Sequence, residues 1–143
     1  MVRVREEIVI GRSPDDVWAV VGDPMSVLHW VPGVESCTVH GDIRIAVLGD
    51  RTLTEQFEVD PRHRRLTYRI IASTGASPLS SHEGIVEVLP HETGSRVVYR
   101  HEFEPADVSE RVRASCAGAL RTLKRYLEGG VRVPRLERAV TER

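Results

Sequence analysis

Between Val34 and Phe103 apolar and polar positions alternate with a period of two, in runs broken by short polar turns. The runs are 34–40, 43–49, 51–59, 66–73, 80–89 and 95–103, and another, 2–10, opens the chain. Each predicts a β-strand. Turn residues separate them: Gly41-Asp42, Gly49-Asp50, Asp60-Pro61 and Pro90 to Gly94. Links this short join consecutive strands as antiparallel hairpins. Ser73 to Pro78 is the loosest link and predicts a mobile loop.

Helical signals flank the strands. Ser13-Pro14-Asp15-Asp16 combines a capping hydroxyl, proline at the first helical position and two acids at the positive end of the helix dipole. The helix it opens runs Val17 to Val21. Asp23-Pro24 starts another by the same chemistry, and Trp30 to Gly33 ends it, so the two form a V. The last helix carries a stripe of Val108, Val112, Cys116, Ala119, Leu123 and Leu127. Asp107 with Glu110 predicts a capping box at its start, and Gly129-Gly130 closes it. Its middle, Ala114 to Ala119, consists of small residues that either pack closely on the sheet or leave a void above it. Val131 to Arg143 is charged and weakly patterned. The expected architecture is α+β: a curved antiparallel sheet of about seven strands around a long C-terminal helix, with two short helices after the first strand. Residues 1–128 would form one domain, and 129–143 a charged tail.

One position breaks the alternation. In 51–59, Leu53, Phe57 and Val59 share a face with Glu55, while Thr52, Thr54, Gln56 and Glu58 share the other. An unpaired carboxylate among apolar neighbours is costly. Glu55 is therefore paired with an arginine such as Arg44 or Arg69, protonated, or pointed at a ligand.

Composition narrows the function classes. A net charge of −1, with arginines scattered and Lys124 the one lysine, gives no nucleic-acid footprint. The longest apolar runs fall far short of the ~20 residues that span a bilayer. Cys37 and Cys116 lack metal spacing and read as reduced thiols in a cytoplasmic protein. The six histidines include no pair at ligand spacing, so no metal is expected. No P-loop, GxGxxG, GxSxG or triad order is present, and no cofactor is expected.

Four stretches carry a resemblance: Ser13 to Trp18; Trp30 to Cys37; Leu53-Thr54-Glu55 with Asp60-Pro61 and Arg65 to Tyr68; and the final helix after Glu104-Pro105. Over residues 2–128 the chain resembles the START-like, birch-pollen-allergen superfamily, and within it the polyketide cyclase/dehydrase-type SRPBCC branch. The resemblance implies a helix-grip fold with a deep cavity between sheet and long helix, holding one hydrophobic or amphipathic molecule. In the superfamily's plant abscisic-acid receptors a glutamate at the position of Glu55 lines that cavity. The receptors' ligand-binding lysine falls near Val31 here, so hormone sensing is not expected.

By the same alignment Arg44, Ala46 and Leu48 face in from one strand, Arg69 and Ile71 from a second, and His82, Gly84 and Val86 from a third. Ser115 and Ala119 face in from the helix, and the loop 73–79, with Leu79, matches the gate. Trp30, Phe57, Tyr68 and Val112 complete the candidate ligand contacts. Periodicity alone turns Tyr68 inward where the alignment turns Arg69, and both stay open. The row that Tyr99 and His101 share is not assigned. Trp30 is a core or lid residue or a recognition element, and His82 a polar cavity wall or a rim residue.

The expected function is binding of a small hydrophobic or amphipathic metabolite, by a monomer or weak homodimer free of membrane and nucleic acid. The alternative is an aromatase/cyclase or dehydratase/isomerase with Glu55 or His82 moving a proton. A complex-forming module using the sheet's outer face is the third.

Overall fold

The structure, a computed structural model, describes residues 1–75 and 81–129. Leu79, most of the expected gate and nearly all of the tail lie outside the described residues. Strand β1 (Val2–Ile10) leads to α1 (Pro14–Val21), a 3-10 turn (Pro24–Ser26) and α2 (Val27–Trp30). Strands β2 (Ser36–His40), β3 (Ile43–Leu48), β4 (Arg51–Asp60), β5 (Arg65–Thr74), β6 (Ser81–His91) and β7 (Gly94–Glu104) follow. A second 3-10 turn (Ala106–Val108) precedes α3 (Ser109–Glu128). The seven strands form one antiparallel sheet in the order β1-β7-β6-β5-β4-β3-β2. This is the expected helix-grip architecture.

The short helices start as their sequences dictate. Ser13 Oγ accepts the Asp16 N–H at 3.1 Å, and Asp23 Oδ1 accepts the Met25 N–H at 3.0 Å. The capping box at Asp107 does not form. The 3-10 turn takes up Asp107, α3 begins at Ser109 without a side-chain cap, and the Ser109 hydroxyl donates to Ala106 O at 2.6 Å. The stripe from Val108 to Leu127 is buried as expected, joined by Leu120.

Helix α3 is pinned at its C-terminal end to the β1–α1 connection. Arg12 donates to Leu127 O at 2.7 Å, Lys124 to Val9 O at 2.6 Å, and the Gly11 N–H to Glu128 Oε2 at 2.7 Å. Leu120, Leu123 and Leu127 fill this end of the core against Ile10, Val17, Val88 and Val97.

Register decides which side chains face inward. On β5, Leu66 and Tyr68 are buried while Arg69 is exposed and donates to Gln56 Oε1 at 2.8 Å. The alignment's inward Arg69 is thus corrected in favour of the periodicity. Ile71 is corrected as well. Pairing passes from Thr54↔Ala72 to Glu55↔Ile70, so Ile71 is the unmatched residue of a β-bulge and is 49% exposed. Val59, beyond the bulge, is at the exposed margin.

Gly84 lies opposite Tyr68, and a Cβ there would sit 2.4 Å from the Tyr68 ring. Glycine is what lets that ring lie over β6. Gly84→Ala is expected to destabilise by about 1–3 kcal/mol through overpacking, measured by urea unfolding. A wild-type midpoint would contradict this assignment.

Candidate functional site

A cavity of about 520 Å³ lies between α3 and the inner face of β3–β7. The small residues of α3 leave the room: Ala114, Ser115, Gly118 and Ala119 line it where larger side chains would fill it. Much of the remaining wall is apolar, with Val27, Trp30, Ala46, Leu48, Leu66 and Val86 among the contributors. Exposure grades along the lining, from buried residues inside to Pro32, Arg111, Ala114 and Ser115, which are exposed and mark the mouth.

Two polar groups interrupt the apolar wall. Arg44 and Glu55 are register partners on β3 and β4, and Arg44 Nε donates to Glu55 Oε1 at 2.7 Å. Both side chains are buried, and a second Arg44 nitrogen donates to Pro24 O at 3.0 Å. Burial raises the Glu55 carboxyl pKa against the pull of Arg44, while Arg44 stays a cation. Its guanidinium also lies 5.3 Å from the centre of the Tyr68 ring. Of the alternatives for Glu55, pairing with Arg44 is the geometry found.

The second group is a chain of rings. The Tyr68 hydroxyl lies 2.6 Å from both the Tyr99 hydroxyl and His101 Nε2. His82 Nε2 is 3.3 Å from His101 Nε2, and Cys116 Sγ is 3.4 Å from His101 Nδ1. His82 Nδ1 is buried with no hydrogen-bond partner among the described residues. Burial pushes the His82 pKa down to about 4 and, with His82 beside it, holds His101 well below the ordinary imidazole range. Burial also raises both tyrosines and pushes the Cys116 thiol up to about 12. Every member of the chain is therefore uncharged near neutrality.

Of the expected contacts, Trp30, Arg44, Ala46, Leu48, Glu55, Tyr68, His82, Val112, Ser115 and Ala119 all line the cavity. Trp30 is also core, its Nε1 donating to Ser26 Oγ at 3.0 Å. Phe57 packs against the core rather than the cavity, Gly84 makes room for Tyr68, and Arg69 and Ile71 face away. Tyr99, His101 and Cys116 belong to the site and were not assigned to it. The signal existed: Arg100, Glu102 and Glu104 form the opposing row of β7, which leaves Tyr99 and His101 to face in. Among the described residues no cluster of His, Cys, Asp or Glu could hold a metal.

The family described as polyketide cyclase / dehydrase and lipid transport matches residues 1–128. The fold is similar to that of XoxI from Bacillus cereus, with a TM-score of 0.77 and 24% identity, covering 90% of this chain and 96% of that one. It is similar to Ara h 8.0201, with a TM-score of 0.73 and 14% identity, covering 90% and 99% of the two chains. It is also similar to the di-domain ARO/CYC BexL from the BE-7585A biosynthetic pathway, with a TM-score of 0.74 and 19% identity, covering 90% of this chain and 47% of that one. No curated protein matches the sequence.

Two outcomes follow from the electrostatics. Glu55→Gln leaves the Arg44 charge buried without a counter-ion and is expected to cost about 3–5 kcal/mol. Arg44→Met with Glu55→Leu removes both charges, and the double variant should unfold at higher urea than the single one. A double variant no more stable than Glu55→Gln would contradict the pairing. The second outcome concerns acid. Unfolded histidine titrates near 6.5 and folded His82 near about 4, so between those values the unfolded chain binds more protons. Stability is full above about 6.5 and falls as the pH drops toward 4, by up to about 3 kcal/mol for this group. His82→Asn should flatten the slope of urea stability against pH in that window, and an unchanged slope would refute the assignment.

Proposed function

The chain belongs to the polyketide cyclase / dehydrase and lipid transport family, and on that premise we propose that it binds one small hydrophobic or amphipathic molecule in its interior. The observation that carries this reading is the cavity of about 520 Å³ with largely apolar walls and a few convergent polar groups. Affinity comes from apolar burial. Orientation comes from the polar part of the wall, where His82 lines the cavity beside the Tyr68–Tyr99–His101 chain. Glu55 contributes less than the sequence suggests, because Arg44 already occupies it.

Acid–base chemistry on a polyketide-like substrate is the second reading, favoured by the family and by the Tyr68–His101–His82 chain at the cavity wall. The electrostatics weigh against it. An imidazole held down to about 4 is a weak base at neutral pH, and efficient proton transfer calls for a value nearer the working pH. Binding is the preferred function.

The binding unit is taken as residues 1–128, with 129–143 as a tail. Among the described residues no helix is long and apolar enough to cross a membrane. Free, buried Cys37 and Cys116 are compatible with a reducing, cytoplasmic setting.

Titration with the neutral dye N-phenyl-1-naphthylamine tests the reading. Saturable fluorescence enhancement at one site per chain is expected. Ser115→Trp, placed at the exposed mouth, should weaken binding roughly tenfold or more while leaving the circular dichroism spectrum unchanged. Absence of saturable binding, or a Ser115→Trp chain that binds as the wild type does, would overturn the proposal.

A further inference from the structure

The residues lining the cavity include three arginines, Arg44, Arg51 and Arg111, against one carboxylate, Glu55. Inside, the charges cancel, since Arg44 is bound by Glu55 and the Tyr68, Tyr99, His82 and His101 side chains are neutral. At the open end they do not cancel. Arg111, on the first turns of α3, is exposed, and Arg51, at the start of β4, is half-buried. Neither makes an ion pair among the described residues. The positive charge of the lining that has no partner among the described residues thus lies on Arg51, beside the exposed Gly49-Asp50 turn, and on exposed Arg111, although the whole chain is slightly negative at −1.

We infer that the ligand is an amphiphile with an anionic group, seated apolar end first, its anion held at the mouth by Arg51 and Arg111. An anion driven into the interior would lose water and find only a guanidinium already paired, which is costly. At the mouth it keeps part of its hydration and meets two guanidinium groups that are unpaired among the described residues, and whose donor geometry suits carboxylate and phosphate oxygens. The apolar body meanwhile occupies the walls formed by Leu48, Leu53, Ile70 and Val86. Low affinity for cationic amphiphiles follows from the same charge.

This inference rests on the ligand-binding reading, and the experiment separates the two. N-phenyl-1-naphthylamine and 8-anilinonaphthalene-1-sulfonate share one ring system and differ by the sulfonate. Both are titrated into the wild-type chain and into the Arg51→Gln/Arg111→Gln double variant. The sulfonate's affinity should fall about five- to tenfold in the double variant, the range for two partly exposed ion pairs, while the neutral dye's stays the same. Salt raised from about 0.02 M to about 0.5 M should reproduce that loss in the wild type. Displacement of the neutral dye by decanoate and by decyl phosphate, each against decanol, then distinguishes a carboxylate from a phosphate monoester. Equal loss for both dyes, no loss for the sulfonate, or decanol outcompeting both anions would overturn the inference and leave the binding reading standing. Failure of both dyes to bind the wild-type chain would remove both.

Discussion

The geometry of coverage governs this molecule. Seven strands at about 4.8 Å spacing span roughly 30 Å, whereas one helix with its side chains is about 10 Å wide. A single long helix cannot cover such a face, so the sheet must curve round it and other elements must fill what remains. Here α3 packs chiefly against β1, and α1 against β6 and β7. Large side chains, Leu120, Leu123 and Leu127, close the C-terminal end of that contact. Over β3–β5 the helix presents small residues instead, and the gap persists as a cavity. The void is thus encoded twice, by too little helix for the sheet and by too little side chain on the helix.

Interior polarity is arranged around that void without leaving net charge in it. Arg44 and Glu55 compensate each other across neighbouring strands, and the Tyr68–Tyr99–His101–His82 chain is kept neutral by burial. A buried ion pair is a weak source of stability, because desolvation offsets much of the attraction. Its effect here is on register: Arg44 opposite Glu55 favours one pairing of β3 and β4 beside the bulge at Thr54/Glu55. The same pair holds the guanidinium near the Tyr68 ring and against Pro24 O, connecting the sheet to the 3-10 turn before α2.

Most of the fold was legible because its signals are local. Strand alternation, the Ser13 and Asp23 caps and the apolar stripe of α3 each require only near neighbours in sequence, and each was found. What could not be read was relational. Nothing in residues 66–73 reveals that Ile71 is skipped by its partner strand, so an alignment that carries facing residues straight through the bulge turns Arg69 and Ile71 the wrong way. The two-residue period, which sets Tyr68 with Leu66 and Ile70 opposite Arg69 and Ile71, favours the inward Tyr68 that the register gives. Asp107 illustrates the opposite failure: a good local capping pattern lost to a 3-10 turn. Glu55 was recognised as anomalous, yet its partner could be named only as one of two arginines until β3 and β4 were seen in register.

That last point bears on how a polar residue in an apolar row should be interpreted. An isolated carboxylate in such a row looks like a ligand anchor, because burying it bare is costly. The same cost is met equally well from within, and Arg44 meets it at 2.7 Å. The group left without a partner among the described residues is a different one, Nδ1 of His82, a residue that shares its β6 row with Gly84, Val86 and Val88. The carboxylate most conspicuous in the sequence is therefore not where the polar capacity of this cavity is left open. Inside, the wall offers neutral rings already bonded to one another, whereas Arg51 and Arg111 in the lining make no ion pair among the described residues.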